Sequence, residues 1–367
     1  MKEGNLGARR NYVDFLKAFS AIIIIIYHYR HLAYFEAPSA PLPFPGFLAI
    51  PYRYGLVVVE LFFLLSGFLL IQNYFVSNKK AQNVKDFIGR KIIRLYPAFI
   101  LTSCVCIVLQ LFAYYVTGGF VLNLSTNLCG IFLDLTLLKS GLFSSSVPLN
   151  VPAWFLTPLF VCYFLFWYVF YENRMGIDRK FIVAGTLMLI GMATLLNQWD
   201  VAILNMRMGR AFSSFFAGVL LGGYCAYSNG YKQSRVLFGW VVVILSLAMI
   251  KADLSGNLYV STVFMFTALI FSLEKSKYAE MIFKKKVVRA IWVPIHSLSY
   301  ELFLIHYPIL TAIAVLNRIF DISYCFGTAW FFGCYILSCV LLAIVIKGLE
   351  KRMQLSLKYF LVLHGDE

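Results

Sequence analysis

The chain has 367 residues and a formal net charge of +15, yet 61% of it is hydrophobic and only 13% is charged, with a mean hydropathy of +0.78. A soluble domain of this length needs far more charge to cover its surface, so the composition excludes one and points to an all-α polytopic membrane protein. The basic residues fall between apolar runs rather than in one patch, so the positive balance reads as membrane topology and not as nucleic-acid binding.

A helix needs ~20 mainly apolar residues to cross the hydrocarbon core. In chain order about ten stretches answer to that, at residues 12–33, 54–75, 95–117, 152–172, 181–199, 211–227, 236–250, 257–273, 293–316 and 327–347. Arg9 and Arg10 before the first give it the look of a signal peptide. Asp14 and Lys17 interrupt the run early, however, and no small-residue cleavage site follows, so it reads as a retained span. The stretch 120–147 is apolar but broken by Asn, Asp, Lys and Gly, and reads as interfacial or re-entrant. No polar linker divides the series, so residues 1–367 form one domain, with a short cytoplasmic tail over 348–367 and no fused soluble domain.

Of the 32 lysines and arginines, 24 lie in one set of loops that includes both termini, and 7 lie in the opposite set. Basic residues are retained on the cytoplasmic side, so both termini are expected there and the first helix runs from inside to outside. No inverted repeat is evident, which weighs against a secondary transporter. The eight cysteines form no CxxC pair and mostly sit inside apolar runs. They read as small buried hydrophobes rather than as metal ligands or a disulfide framework.

Ionisable groups inside a span are costly and each asks for a reason. On the first helix Lys17 and His28 are eleven residues apart, which places them on one face and ~16 Å apart along the axis. Asp14 is one turn before Lys17 on the same stripe. A snorkelling Asp14–Lys17 pair with a satisfied interior His28 explains this stretch as well as a functional site does. In VELFFLLSGFLL, Glu60 sits about two turns in from the outer end, near the depth of His28, where a carboxylate can orient an imidazole; a structural contact between helices is the other reading. Ser66 and Gly67 follow as small packing residues. In KDFIGRKIIRLYP, Arg90, Lys91 and Arg94 crowd the start of the third span, either as ordinary positive-inside anchors or as phosphate ligands. In SLSYELFLIHYPIL, Ser299 and His306 are seven apart and share a face, with a structural role as open as a catalytic one. His31, His296 and His364 receive no role, and GVLLGG at 218–223 has the GxxxG spacing of close helix packing.

Four stretches, DFLKAFSAIIIIIYHY, VELFFLLSGFLL, RKIIRLYP and SYELFLIHYPI, together with AWFLTPLFVCYFLFWY at 153–168, resemble in order and spacing the membrane acyltransferase-3 family, integral membrane O-acyltransferases of bacterial surface glycans. The resemblance implies ten helices with both termini inside and a location in the bacterial inner membrane. It implies a cytoplasmic acyl-CoA donor, usually acetyl-CoA, and no metal. The acceptor it implies is a hydroxyl of a surface polysaccharide, such as O-antigen or capsule, or of its lipid-linked precursor. The family's essential first-helix histidine maps to His28 and the basic residue eleven positions earlier to Lys17, where the commoner pattern has arginine. Its acidic residue before Phe-Phe maps to Glu60, its basic cluster to Arg90, Lys91 and Arg94, and its ninth-helix histidine to His306. Thr157-Pro158-Leu159 stands where some relatives carry a glutamate.

The expected mechanism has Arg90, Lys91 and Arg94 hold the nucleotide end of CoA. The pantetheine arm then follows the Asp14–Lys17–His28 stripe, and His28 acts as general base oriented by Glu60. A relay through an acyl-histidine is a variant of it. The rival expectation is a proton-coupled transporter or glycan-lipid carrier with Lys17, Glu60 and His28 as a proton relay. A non-catalytic sensor or scaffold is a third.

Overall fold

The computed structural model of the protein describes residues 11–38, 40–76, 83–142, 146–227, 233–251 and 257–363. Arg9, Arg10, Lys79, Lys80, Lys232 and His364 lie outside the described residues. The described chain is helical throughout, with no strand among the described residues. In order the helices are α1 (Asn11–His31, continued by a π-helical turn Leu32–Glu36), α2 (Ala49–Tyr54), α3 (Val58–Val76), α4 (Val84–Thr117) and α5 (Leu128–Leu135). There follow α6 (Leu156–Trp167, continued by a π-helical turn Tyr168–Glu172), α7 (Ile177–Leu196), α8 (Met206–Tyr227), α9 (Gln233–Lys251) and α10 (Leu258–Glu274). The chain closes with α11 (Lys277–Lys284), α12 (Lys286–Ser297), α13 (Ser299–Phe320) and α14 (Ala329–Leu363).

All ten apolar stretches expected from the sequence lie on helices. By length and composition, however, seven helices among the described residues suffice to cross a membrane, or eight if α10 and α11, bent by 80°, count as one span. The shortfall sits on α8, α9 and α10. The apolar part of α9 is short, at Val236–Ile250. Helix α8 carries Arg207, Arg210, Ser213 and Ser214, which lower its hydropathy, and it buries all four.

Capping explains some of the boundaries. Helix α4 starts at residue 84 rather than 95 because the Asn83 side chain accepts from the Lys85 amide (2.9 Å); it ends where Gly118 turns left-handed at φ 75°. The expected ninth span is broken. Leu298 separates α12 from α13, so the span begins at Ser299 rather than 293, and α12 carries Pro294 within it. Among its described residues the 120–147 stretch holds one helix, the eight-residue α5, started by Asn127, whose side chain accepts from the Gly130 amide at 2.7 Å.

The bundle is sorted as a membrane solvent requires. The apolar windows of α3 and α13 are each 72% buried inside the protein, whereas that of α14 is 22% buried, which separates central helices from peripheral ones. Peripheral helices turn large apolar side chains outward, as at Val108 and Tyr115 on α4 and Leu341 and Val345 on α14. Cys104 and Cys334 share those outer faces, while Cys106, Cys162, Cys325 and Cys339 are buried as expected of small hydrophobes. The closest approach joins α3 to α8. A Cβ on Gly67 would collide with the Phe215 carbonyl oxygen, and one on Gly218 with that of Leu64. Small residues let two backbones meet where lipid gives no hydrophobic drive for association.

Gly218→Leu is therefore expected to abolish monodisperse folded protein, because the clash is with backbone and overpacking even against side chains costs about 1–3 kcal/mol. Size-exclusion profiles and thermal midpoints in detergent check this, with Gly218→Ala expected in between. A Gly218→Leu protein with a wild-type midpoint would contradict it.

Candidate active site

The first functional cluster is an imidazole pair. His28, three residues before the end of α1, and His306, on α13, are both buried. His306 Nε2 lies 2.9 Å from His28 Nδ1, with the two rings stacked at 5.0 Å and 25°. His306 Nδ1 lies 3.0 Å from the Leu302 carbonyl oxygen, one turn earlier on α13. A carbonyl only accepts, so Nδ1 of His306 carries a hydrogen and donates. With both rings neutral, His306 Nε2 is then bare and accepts from His28 Nδ1–H. This assignment follows from the hydrogen-bond network. It leaves His28 Nε2 with its lone pair, which is the form a general base requires. Around the pair stand Tyr27, His31 and Tyr307. The ring of His31 is 4.9 Å from that of His28, and its Nδ1 is 3.4 Å from the Tyr307 hydroxyl.

The second cluster lines a cavity of about 490 Å³ near the N-terminal half of α1. Its cations are Lys17, Lys91, Arg94, Lys347 and Lys351, and its carboxyl groups are Glu301 and Glu350. Lys347 is held by Glu301 (3.0 Å) and by the Ser297 carbonyl. Lys91 Nζ sits 4.9 Å above the Tyr163 ring, a cation–π contact that keeps the ammonium at the cavity wall. Glu301 and Glu350 are neighbours, and the Oε2 atom of each makes no well-formed hydrogen bond. The cavity thus offers net positive charge together with two buried acceptors. Toward α13 and α6 its lining turns apolar, with Phe62, Phe155, Leu159 and Phe303.

The third cluster corrects an expectation from the sequence. Glu60 does not orient His28. It is fully buried against Arg210 of α8, whose Nε donates to Oε1 and whose second nitrogen donates to Oε2 at 3.1 Å and to the Leu56 carbonyl at 3.0 Å. The same guanidinium lies 4.7 Å from the Trp154 ring and 4.3 Å from that of Tyr259. The shared depth of Glu60 and His28 was legible. Their different azimuths were not, because the partner that claims Glu60 comes 150 residues later.

Of the predicted site residues, Lys17, Ser66, Lys91, Arg94 and Ser299 meet at the one cavity. His28 and His306 meet in the pair. Asp14 stays near Lys17, but its carboxylate is 3.1 Å from His296 Nε2 on α12 and it does not line the cavity. Arg90 lies on the exposed side of α4, also outside the cavity lining. Ser66 Oγ donates to the Phe62 carbonyl at 2.8 Å. Four functional neighbours had no assigned role from sequence: His31, His296, Arg210 and Glu350. His31 was findable, since it is one turn from His28 on the same helix. Arg210 read as a loop charge and is instead 5% exposed inside α8. Among the described residues, no group of three or more His, Cys, Asp or Glu side chains could hold a metal ion.

The apolar helices define a multi-pass membrane protein that buries an imidazole pair in its bundle and carries a basic cavity apart from it. A family model described as an acyltransferase domain matches residues 10–348, nearly the whole chain, so the protein belongs to the acyltransferase-3 family and is an acyltransferase. No curated protein and no solved structure matches it.

The Glu60–Arg210 pair makes a stability prediction. Arg210→Met leaves a carboxylate buried without its partner, at a cost on the order of 3–5 kcal/mol, and the thermal midpoint should fall. Adding Glu60→Gln should recover most of it. If Glu60 instead oriented His28, Glu60→Gln alone would cut acyl transfer and leave the midpoint unchanged.

Proposed function

We propose that the protein transfers an acetyl group from cytoplasmic acetyl-CoA to a hydroxyl of a surface polysaccharide, or of its lipid-linked precursor, presented on the outer side of the bacterial inner membrane. The observation that carries this reading is the His28–His306 pair, which leaves His28 Nε2 as a ready proton acceptor. The basic cavity supports the donor assignment. Lys17, Lys91 and Arg94 suit the phosphates of CoA, and the buried Glu301 and Glu350 oxygens suit amide or amino N–H groups. Sixteen or so ångströms of α1 separate Lys17 from His28, a distance the pantetheine arm bridges.

In the step itself His28 Nε2 takes the proton of the acceptor hydroxyl as its oxygen attacks the thioester carbonyl. The carbon–sulfur bond then breaks, and the imidazolium returns the proton to the leaving thiolate. The products are an ester on the acceptor and free CoA thiol, with no other reactant consumed. His306 is a positioning residue: its bare Nε2 holds the proton on His28 Nδ1, so that Nε2 faces the substrate as a base. Glu60 acts at one remove, by fixing Arg210 and through it Trp154.

The test uses purified protein and the surface glycan of cells carrying each variant. Acetyl-CoA should raise the thermal midpoint by ligand linkage, and mass spectrometry of the glycan should show an acetyl mass that depends on the gene. His28→Ala should keep the acetyl-CoA shift and lose roughly 10²–10⁴ in transfer. His306→Ala should lower kcat, and His306→Gln, whose side-chain oxygen accepts from the same Nδ1–H, should restore part of it. A folded His28→Ala protein with full transfer overturns the mechanism. Proton-coupled transport without any acetyl-CoA shift would favour the carrier reading instead.

A further inference from the structure

The basic cavity does not reach His28. Three phenylalanines from three separate helical segments close its apolar end: Phe62 of α3, Phe303 of α13 and Phe155 in the single-turn helix ahead of α6. Phe303 is the hub. Its ring stands edge-on to Phe155 at 4.9 Å and to Phe62 at 5.5 Å. The same ring also stands edge-on to His306 at 6.3 Å, one helical turn away. Phe303 thus lines the cavity and also touches the imidazole pair, and each of these three ring contacts is edge-to-face. The wall is also anchored. Trp154, beside Phe155, lies over the Arg210 guanidinium that Glu60 holds, so the buried ion pair braces the segment carrying Phe155.

We infer that Phe62, Phe155 and Phe303 form the acyl-length selector of the enzyme, a hydrophobic seal that passes a two-carbon acyl group toward His28 and turns back longer ones. This rests on the acyl-CoA reading of the cavity. The thioester carbonyl has to come within hydrogen-bonding reach of the chemistry at His28, and the acyl chain leads it. A short acyl group needs Phe303 to shift by little. A longer one needs the volume that the three rings now fill, in an interior where packed side chains leave few voids. The same wall keeps water of the cavity from the thioester once it stands at the pair, so it suppresses hydrolysis, in which water adds to the carbonyl and CoA leaves as the thiol. Both effects belong to the ring volume and not to any charge. Discrimination by a hydrophobic pocket is worth about 10–200-fold per methylene, enough to hold one acyl length against its neighbours.

The experiment measures release of free CoA thiol by the full-length purified protein from acetyl-CoA and from hexanoyl-CoA, without acceptor, beside the thermal shift given by acetyl-CoA. Phe303→Ala opens the hub, and Phe62→Ala is the milder variant, because that ring is already partly exposed to the cavity. Phe164→Ala, on the exposed side of α6, is the control. In both wall variants the hexanoyl-to-acetyl ratio should rise by about tenfold or more, total thiol release should rise, and the acetyl-CoA shift should persist. Phe164→Ala should keep the wild-type ratio. Wall variants that still show the shift but keep the wild-type ratio overturn the selector alone. Absence of any acetyl-CoA shift in the wild type overturns the acyl-CoA reading and the selector with it.

Discussion

A neutral imidazole in a low-dielectric interior has one nitrogen that donates and one that accepts, and its neighbours decide which is which. In this protein the decision is made by a carbonyl oxygen, that of Leu302, through His306. Because that oxygen can only accept, the hydrogen positions along Leu302, His306 and His28 are fixed in sequence, and the free lone pair ends on His28 Nε2. The rest of the site depends on α1 and α13 staying close enough to keep this bond at 2.9 Å. Other contacts around these two helices serve that end. The Tyr29 hydroxyl donates to the Phe326 carbonyl at 2.8 Å, and Arg318 of α13 grips Glu36 at the end of the π-helical turn after α1.

In the proposed acyl transfer, placing His28 apart from the basic cavity divides two conflicting demands. Phosphate recognition wants cations and water; a thioester awaiting a hydroxyl wants neither. The proposed division uses distance along α1 and the ring cluster of Phe62, Phe155 and Phe303. The polar residues that support this division are themselves paired: Glu60 with Arg210, Glu301 with Lys347 and Asp14 with His296. A buried charge that loses its partner is far more costly than a pair, so the site and the packing of α3 against α8 are held by the same residues.

Much of this was legible in the amino-acid sequence, for identifiable reasons. Apolar run length located every helix that carries the site, and helical periodicity put Lys17 and His28 on one face, although only Lys17 reaches the cavity. The cluster Lys91 and Arg94 was visible because a membrane helix has few other reasons to crowd cations within a turn. Partners across the bundle were not legible. Depth can be counted from a helix end, but rotation about the axis cannot, so Glu60 was matched to His28 on depth while Arg210 held it in fact. Asp14 likewise has a partner that helix periodicity does not offer, His296 on a short helix whose end at Leu298 no strong breaker marks. On α8 the sequence puts Arg207 and Arg210 in a loop ahead of a span at 211–227, whereas the helix begins at Met206 and buries both, because buried arginines look like loop charges until their partners are known.

The central claim is that His306 holds a proton on His28 Nδ1 and leaves Nε2 bare. Nitrogen-15 magnetic resonance of histidine-labelled protein in lipid bilayers tests this most directly, with His28→Ala and His306→Ala samples assigning the signals. The account predicts a neutral His28 protonated at Nδ1, with a coupling across the hydrogen bond to His306 Nε2 that vanishes in either variant. A His28 protonated at Nε2, or no coupling between the two rings in the folded wild type, would contradict it.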